Sequence, residues 1–345
     1  MSTFDLGELG WTADLAGALE AHQIPARVAI QHRGELIVYA EHGELRVRLP
    51  GRFRHEGIEV AVGDWVALAD EAAVQAVLPR RSAIFRNAAG FATSAQTLAA
   101  NVDVAFVVSS LGPALEPRRI ERYLVSIWES GASPEIVLTK ADRFDDPWQM
   151  AAEVEAVALG VPVHVVSAVS GQGCDALRAR LLSGTTAVLL GSSGVGKSTL
   201  VNRWAGRELM ATRETRADDD EGRHTTSHRE LILLPGGGIV IDTPGLREVQ
   251  LWDVGEGALG EAFADVEELA GACRFNDCSH TEEPDCAVLA AVESGELPHE
   301  RFQSWRKLQR ELRAIAMRHN VLLRKEEARK WRLRAREGRA RARLR

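Results

Sequence analysis

Residues 191–198 read Gly-Ser-Ser-Gly-Val-Gly-Lys-Ser, directly after the apolar run 187–190 and before the helical pattern 198–205. The pattern GxxxxGK[ST] between a strand and a helix constrains this chain more than any other feature. Glycines let backbone N–H groups approach anionic oxygens, and the N-terminus of the following helix adds a favourable dipole. Lys197 offsets phosphate charge, and the Ser198 hydroxyl suits a magnesium ion held with the phosphates. The nucleotide-binding residues expected on this basis are Gly191, Ser192, Ser193, Gly194, Val195, Gly196, Lys197, Ser198 and Thr199. Such a loop belongs to a parallel sheet, and the chain supplies one. Runs 102–109, 136–138 and 161–166 are continuously apolar, as strands buried on both faces must be. Helical patterns separate them, beginning with 117–130, so the middle of the chain is an α/β domain.

The flanks differ from that middle. Runs 26–31, 36–40, 44–49, 65–68 and 74–78 are short β-rich segments broken by Gly, Pro and charge, which suggests a small five-stranded barrel; the OB fold is the first choice, and an SH3-like barrel would look the same at this level. Residues 87–101 read as a linker. Residues 231–234 and 238–241 read as a hairpin joined by Pro-Gly-Gly-Gly. After Gly245 the pattern is mostly helical, and from Arg301 it is one Arg-rich helix. The expected domains are a barrel and linker over 1–95, an α/β domain over 96–250 and a helical domain over 251–345. No run approaches the roughly 20 apolar residues of a bilayer span. No basic stretch precedes an apolar one at the start of the chain. The expectation is a cytoplasmic protein that does not engage a membrane.

Charge divides the same way. The net charge of the 345 residues is -7, yet residues 301–345 carry 17 Lys and Arg against 4 Asp and Glu, or +13. The preceding 300 residues carry 25 against 45, or -20. A basic end on an acidic body points to a polyanionic partner, with RNA the first choice. Arg forks in the tail would meet phosphates, and Trp305 and Trp331 would stack. Arg46 and Arg48 share one face of a strand in the barrel and, with Arg52 and Arg54, form a second candidate surface.

Of four cysteines, three cluster with a histidine: Cys273, Cys278, His280 and Cys286. Three thiolates and an imidazole make a closed tetrahedral zinc site of structural type. Cys174 stands alone and reads as a small core residue.

Three further segments lie at predicted strand ends. Asp242-Thr243-Pro244-Gly245 offers a carboxylate for a magnesium shell and, at Gly245, an N–H for a γ-phosphate. Thr139-Lys140-Ala141-Asp142 resembles the guanine-reading NKxD motif of GTPases, in which the carboxylate accepts the two N–H donors of the guanine edge. Thr139 replaces the motif's Asn, which leaves Asp142 as the main discriminator. Ser167-Ala168 resembles the companion motif that meets the guanine oxygen. Ordinary GTPases run phosphate loop, switch, DxxG, NKxD, Ser-Ala. This chain runs TKAD, Ser-Ala, phosphate loop, switch, DTPG, which is a circular permutation.

A barrel, then a permuted GTPase, then a Cys/His module: nearly the whole chain resembles the ribosome small-subunit-dependent GTPase A family. The resemblance implies GTP hydrolysis to GDP and phosphate, late maturation of the small ribosomal subunit, stimulation by that subunit and rRNA contacts through the flanking domains. It implies Zn²⁺ in the Cys/His module and Mg²⁺ with GTP. By similarity to the family's GRHTT segment, Thr225 or Thr226 is the switch threonine, with Thr225 favoured as the magnesium ligand. Leu246 stands where many GTPases carry a water-orienting Gln, so His224 is the candidate catalytic group. The rival reading is a nucleotide-gated RNA-binding placeholder with negligible turnover. The asymmetric design suggests a monomer.

Overall fold

The computed structural model describes residues 3–32, 34–69, 72–87, 95–113, 115–210, 229–242 and 256–319. They fall into two compact units, one drawn from 1–86 and 96–250, the other from 87–95 and 251–345.

The first unit opens with a helical turn, α1 (Ala13–Ala16), then β1 (Ile24–Gln31), β2 (Glu35–Ala40), β3 (Gly43–Arg48), α2 (Gly51–Glu56), β4 (Trp65–Leu68) and β5 (Val74–Val77). Strand β1 pairs antiparallel with both β2 and β4, β2 with β3, and β4 with β5. A parallel bridge from Arg48 to Ala73 brings β3 to the start of β5 and closes the circuit in the order 1-2-3-5-4. This is the OB-type barrel expected from the five short strands. Alternation fills it: Leu36, Val38 and Ala40 of β2 are buried, while Glu35, Ile37 and Tyr39 between them are only half-buried. Ala26, Val28, Val47, Phe53, Val66 and Leu68 complete the interior. The outer face of β4 is also dry. Leu9, Trp11 and Leu15 pack on Trp65 and Ala67, with the Trp11 and Trp65 rings edge-to-face at 4.7 Å.

Strands β6 (Ala83–Asn87) and β7 (Ala95–Ala100) form a two-stranded sheet. The expectation of a linker over 87–101 is therefore corrected at 95–100. Leu98, Ala99 and Ala100 are buried there. Thr97 is the one β-branched residue in the segment and no aromatic stands there, so its composition hid it.

The α/β core then runs β8 (Val104–Ser110), α3 (Pro117–Ser130), β9 (Ser133–Thr139), a 3₁₀ turn (Ala141–Arg143), α4 (Pro147–Glu155), β10 (Val163–Val165), α5 (Cys174–Arg178), β11 (Thr186–Leu190), α6 (Lys197–Ala205), β12 (Glu230–Leu233) and β13 (Ile239–Asp242). Helix α3 shows how local signals set these bounds. Pro117 opens it, where a missing N–H costs nothing, and Gly131 closes it at φ 79°. The sheet order is β10-β9-β8-β11-β13-β12, parallel except for β12. The chain moves outward from β8 through β10 and then returns to the other side of β8. That reversal opens a crevice at the carboxyl ends of β8 and β11, where open α/β sheets bind ligands. Phe106, Val108, Val137, Leu177, Leu189 and Leu200 lie in its main core, and Cys174 is buried with them, as expected. Through Ile30 opposite Glu230, β1 joins β12, so barrel and core share one sheet.

The second unit contains α7 (Glu256–Ala262), α8 (Ala264–Gly271), α9 (Ala287–Ser294) and α10 (His299–His319). Phe263, Val266, Val288, Phe302, Trp305 and Leu308 are buried in it. Two residues assigned to the basic tail turn inward. Arg301 is 3% exposed; it pairs with Asp265 at 2.9 Å and lies over the Phe263 ring at 4.3 Å. Trp305 is 3% exposed and stacks on Phe302, so it has no face left for a nucleobase. The periodicity of the apolar positions placed it in the core, and the surrounding arginines hid that. Trp331 lies outside the described residues. Among the described residues, no helix is long and apolar enough to cross a membrane.

Candidate nucleotide and metal sites

The phosphate loop spans the turn from β11 to α6. Gly191, Gly194 and Gly196 all have positive φ, at 143°, 80° and 102°. Gly191 has no room for a side chain: a Cβ there would stand 2.1 Å from the Val108 carbonyl oxygen of β8. Val195 turns its side chain into the core beneath the loop, while Ser193 and Gly194 are exposed. Helix α6 begins at Lys197, which puts Ser198 and Thr199 in its first turn, where backbone N–H groups lack intrahelical acceptors. The Lys197 Nζ donates to the carbonyls of Gly191 and Ser192, both at 2.7 Å, so its charge sits over the loop. The donor set of this loop fits a nucleotide phosphate.

Two loops from the neighbouring strands are fastened to it. At the end of β9 the Thr139 Oγ1 donates to the Val195 carbonyl at 2.5 Å, with the Ser109 carbonyl at 3.2 Å. Lys140 then takes a left-handed conformation, φ 63°, and the Ala141 N–H bonds the Val166 carbonyl. This turn sets Asp142 beside Ser167. The buried Ser167 hydroxyl donates to Asp142 Oδ1 at 2.5 Å and accepts the Ser170 N–H at 3.1 Å. Arg203 of α6 donates to the Ala168 carbonyl at 3.2 Å. Gly171 sits at φ 92°, a conformation that favours glycine, with the Arg203 guanidinium close against its Cα. TKAD, Ser-Ala and the phosphate loop, separated in the chain, thus meet at one end of the sheet. Asp242 ends β13, two strands from β8 on the same side as β11. His224, Thr225, Thr226, Gly245 and Leu246 lie outside the described residues.

Sequence reasoning missed Arg203 and Ser170. Arg203 is one of several arginines, and only the fold brings it to a carbonyl 35 positions earlier. Ser170 contributes a backbone N–H, which no side-chain pattern records.

The metal cluster lies between α8 and α9. Cys273, Cys278, His280 and Cys286 have their ligand atoms all within 4.8 Å of one another. Cys273 Sγ is 3.8 Å from Cys286 Sγ and 3.6 Å from His280 Nδ1, and His280 Nδ1 is 3.4 Å from Cys286 Sγ. A tetrahedron with bonds of about 2.3 Å to sulfur separates its sulfurs by about 3.8 Å, so the spacing fits a zinc-sized ion. Cys286 caps α9, its sulfur accepting the Leu289 N–H at 3.5 Å. Burial acts to raise the Cys273 thiol, but hydrogen bonds from the Val288 and Ala287 N–H groups, with those of Cys286 and Cys278, together hold it below its ordinary value. His280 and Asp285 are left-handed, at φ 52° and 58°. The loop they shape is fixed by Glu283, whose carboxylate accepts the N–H of Ser279 at 3.1 Å and of Thr281 at 2.8 Å. The His280 ring packs against Trp305 at 5.5 Å.

A parallel sheet with its phosphate loop in the middle of the chain and its base loops before it defines a circularly permuted P-loop GTPase. The comparison with known proteins agrees. Residues 77–252 match the family described as RsgA GTPase. The "Small ribosomal subunit biogenesis GTPase RsgA" of Streptomyces avermitilis is 45% identical over 98% of this chain and 94% of its own. The protein of that name from Opitutus terrae is 44% identical over 98% of each. Among solved structures, YjeQ from Thermotoga maritima matches with a TM-score of 0.64 at 28% identity, covering 84% of this chain and 98% of its own. YloQ, described as a circularly permuted GTPase, matches with a TM-score of 0.62 at 25% identity, covering 85% and 96%. The chain belongs to the RsgA GTPase family.

Proposed function

We propose that this GTPase hydrolyses GTP to GDP and phosphate on the maturing small ribosomal subunit, late in its assembly. The subunit stimulates turnover, and the barrel and the helical domain bind its rRNA. The observation that carries the nucleotide reading is the meeting of the three loops: Thr139 ties the first base loop to the phosphate loop at Val195, and Ser167 ties the second base loop to Asp142 of the first. The relatives' names support the ribosomal reading, as does the exposed row Lys307, Arg310 and Arg313, spaced for one face of α10.

In this reading Gly191 to Thr199 hold the phosphates, with Lys197 offsetting their charge. Thr139, Lys140, Asp142, Ser167 and Ala168 surround the base, and Asp142 selects guanine. Ser198 and Thr225 ligate Mg²⁺, Asp242 reaches it through water, and Gly245 meets the γ-phosphate. Mg²⁺ held by Ser198 and Thr225 would supply positive charge against that developing on the phosphate oxygens. His224 orients the attacking water. Zn²⁺ in the Cys273, Cys278, His280 and Cys286 cluster is structural. The domains are 1–95, 96–250 and 251–345, and the protein works as a cytoplasmic monomer off the membrane. GTP favours the docked state only by its differential affinity for it, and hydrolysis removes that bias.

Phosphate release from GTP and from ATP, with and without purified small subunits, tests this. Stimulation of GTP turnover by the subunit is the expected result. GTP-dependent binding without stimulation would favour a placeholder instead. ATP turned over as fast as GTP would overturn the base assignment.

A further inference from the structure

Thr139 is 2% exposed, and its hydroxyl is committed. Oγ1 lies 2.5 Å from the Val195 carbonyl and 3.2 Å from the Ser109 carbonyl. Both partners accept only, so the single hydroxyl proton goes to one of them. The nearby Ser167 hydroxyl is committed in the same way, to Asp142 at 2.5 Å. Guanine presents N7 and O6 purely as acceptors on one edge, and N1–H and the 2-amino group as donors on the other. An Asn amide at position 139 would carry two protons, one for a loop carbonyl and one for N7.

We infer that this site does not read the purine N7: the base is selected through its Watson–Crick edge, and the proton that could have served N7 ties the base loop to the phosphate loop. The inference rests on the guanine-site reading above. It makes Thr139 a positioning residue for the phosphate loop and, by what it withholds, a determinant of base specificity. Nucleotides altered at N7 are ligands of this protein on equal terms with the unaltered ones. Those altered at the 2-amino group are not.

Equilibrium binding of GDP, 7-deaza-GDP, inosine diphosphate and ADP to the full chain with Mg²⁺ separates the possibilities. The expected result is 7-deaza-GDP within about twofold of GDP, with inosine diphosphate about tenfold weaker for its missing donor. A penalty near tenfold for 7-deaza-GDP, with GDP still preferred over ADP, overturns this inference alone. GDP bound no better than ADP overturns the guanine reading itself, and this inference with it. The Thr139→Asn protein is expected to acquire a penalty of about fivefold against 7-deaza-GDP that the wild type lacks. A folded Thr139→Asn protein that still binds the two alike would remove the hydroxyl from the explanation. Thr139→Ser keeps the proton count and, whatever its overall affinity, is expected to bind GDP and 7-deaza-GDP in the wild-type ratio; an N7 preference in it counts against the inference.

Discussion

Position 191 has no space for a side chain, and its backbone is held where L residues rarely go. Gly191→Ala puts a methyl 2.1 Å from a backbone oxygen at φ 143°. Strand β8 carries that oxygen and cannot move without disturbing the sheet. We expect a loss of about 3 kcal/mol in stability from the strain and the clash together. Urea unfolding measures that loss, and nucleotide affinity, read by titration, should fall with it; a variant as stable as wild type would show that the loop is looser than described. A second residue-scale case concerns acid. Glu135 is 3% exposed, which acts to raise its pKa, but hydrogen bonds from His164 at 2.7 Å and Arg180 at 2.7 Å outweigh burial and hold it below the ordinary value. A carboxylate lowered on folding stabilises above its unfolded pKa, and that contribution fades as pH falls through the folded one. Glu135→Gln should therefore be less stable at neutral pH, with the gap to wild type closing below about pH 4. An unfolding midpoint difference that stays constant from pH 7 to pH 3 contradicts the pairing. Legibility at this scale follows distance along the chain. Lys197 and Ser198 could be read because the loop carries its own spacing. The Thr139 tie could not, because its acceptor lies 56 positions away.

At the scale of elements, the Cys/His cluster, with the zinc proposed for it, would do for α8 and α9 what a larger core would otherwise do. Helix α9 has eight residues, and Cys286 at its N-terminus is both a cluster member and its cap. Helices this short are marginal without tertiary support. Removing the zinc ion proposed for the cluster would leave three thiols and an imidazole at close quarters and loosen the cap at once. A strong chelator should therefore melt the helical unit at a lower temperature than the α/β core, seen as an early partial loss of helical circular dichroism while GDP binding persists. Simultaneous loss of both signals would show that the ion stabilises the whole chain. The cluster was legible because metal spacing is local in sequence. Strand β7 was not. Thr97 apart, its Ala, Gln and Leu residues have weak strand preference, and the burial of Leu98, Ala99 and Ala100, which composition does not report, makes it a strand. The N-terminal segment escaped for a related reason: Leu9, Trp11 and Leu15 form a second layer on β4, and no period announces a layer made from a loop.

At the scale of the molecule, the motif order was legible and the joint between barrel and core was not. Permutation shows directly as TKAD before the phosphate loop, whereas the joint is built around Arg27, which looks like any strand arginine. Its guanidinium is 1% exposed and donates to the carbonyls of Leu9, Gly63 and Asn101. Burial lowers its pKa to about 10, with Asp103 opposing, so it stays charged at neutral pH. Asn101, at φ 53°, donates back to Gly63 at 3.0 Å, and Gly63 approaches Ala100 too closely for any Cβ, at 2.2 Å from its carbonyl oxygen. One side chain thus satisfies carbonyls from the N-terminal layer, the barrel and the strand entering the α/β core, and β1 adds its pairing with β12. Neither part can open without orphaning buried polar groups in the other, each costing about 1–3 kcal/mol. The two should therefore unfold as one cooperative unit. Native-state hydrogen exchange should give amides of Val66 in β4 and Val107 in β8 opening free energies within about 1 kcal/mol of each other. In Arg27→Met, which keeps the bulk and removes the donors, the barrel amides should open about 2–4 kcal/mol more easily, while those of β8 and β11 change less. Barrel amides that already exchange by a separate, lower opening in the wild type would mean that the shared sheet is only a point of contact between two parts that open independently.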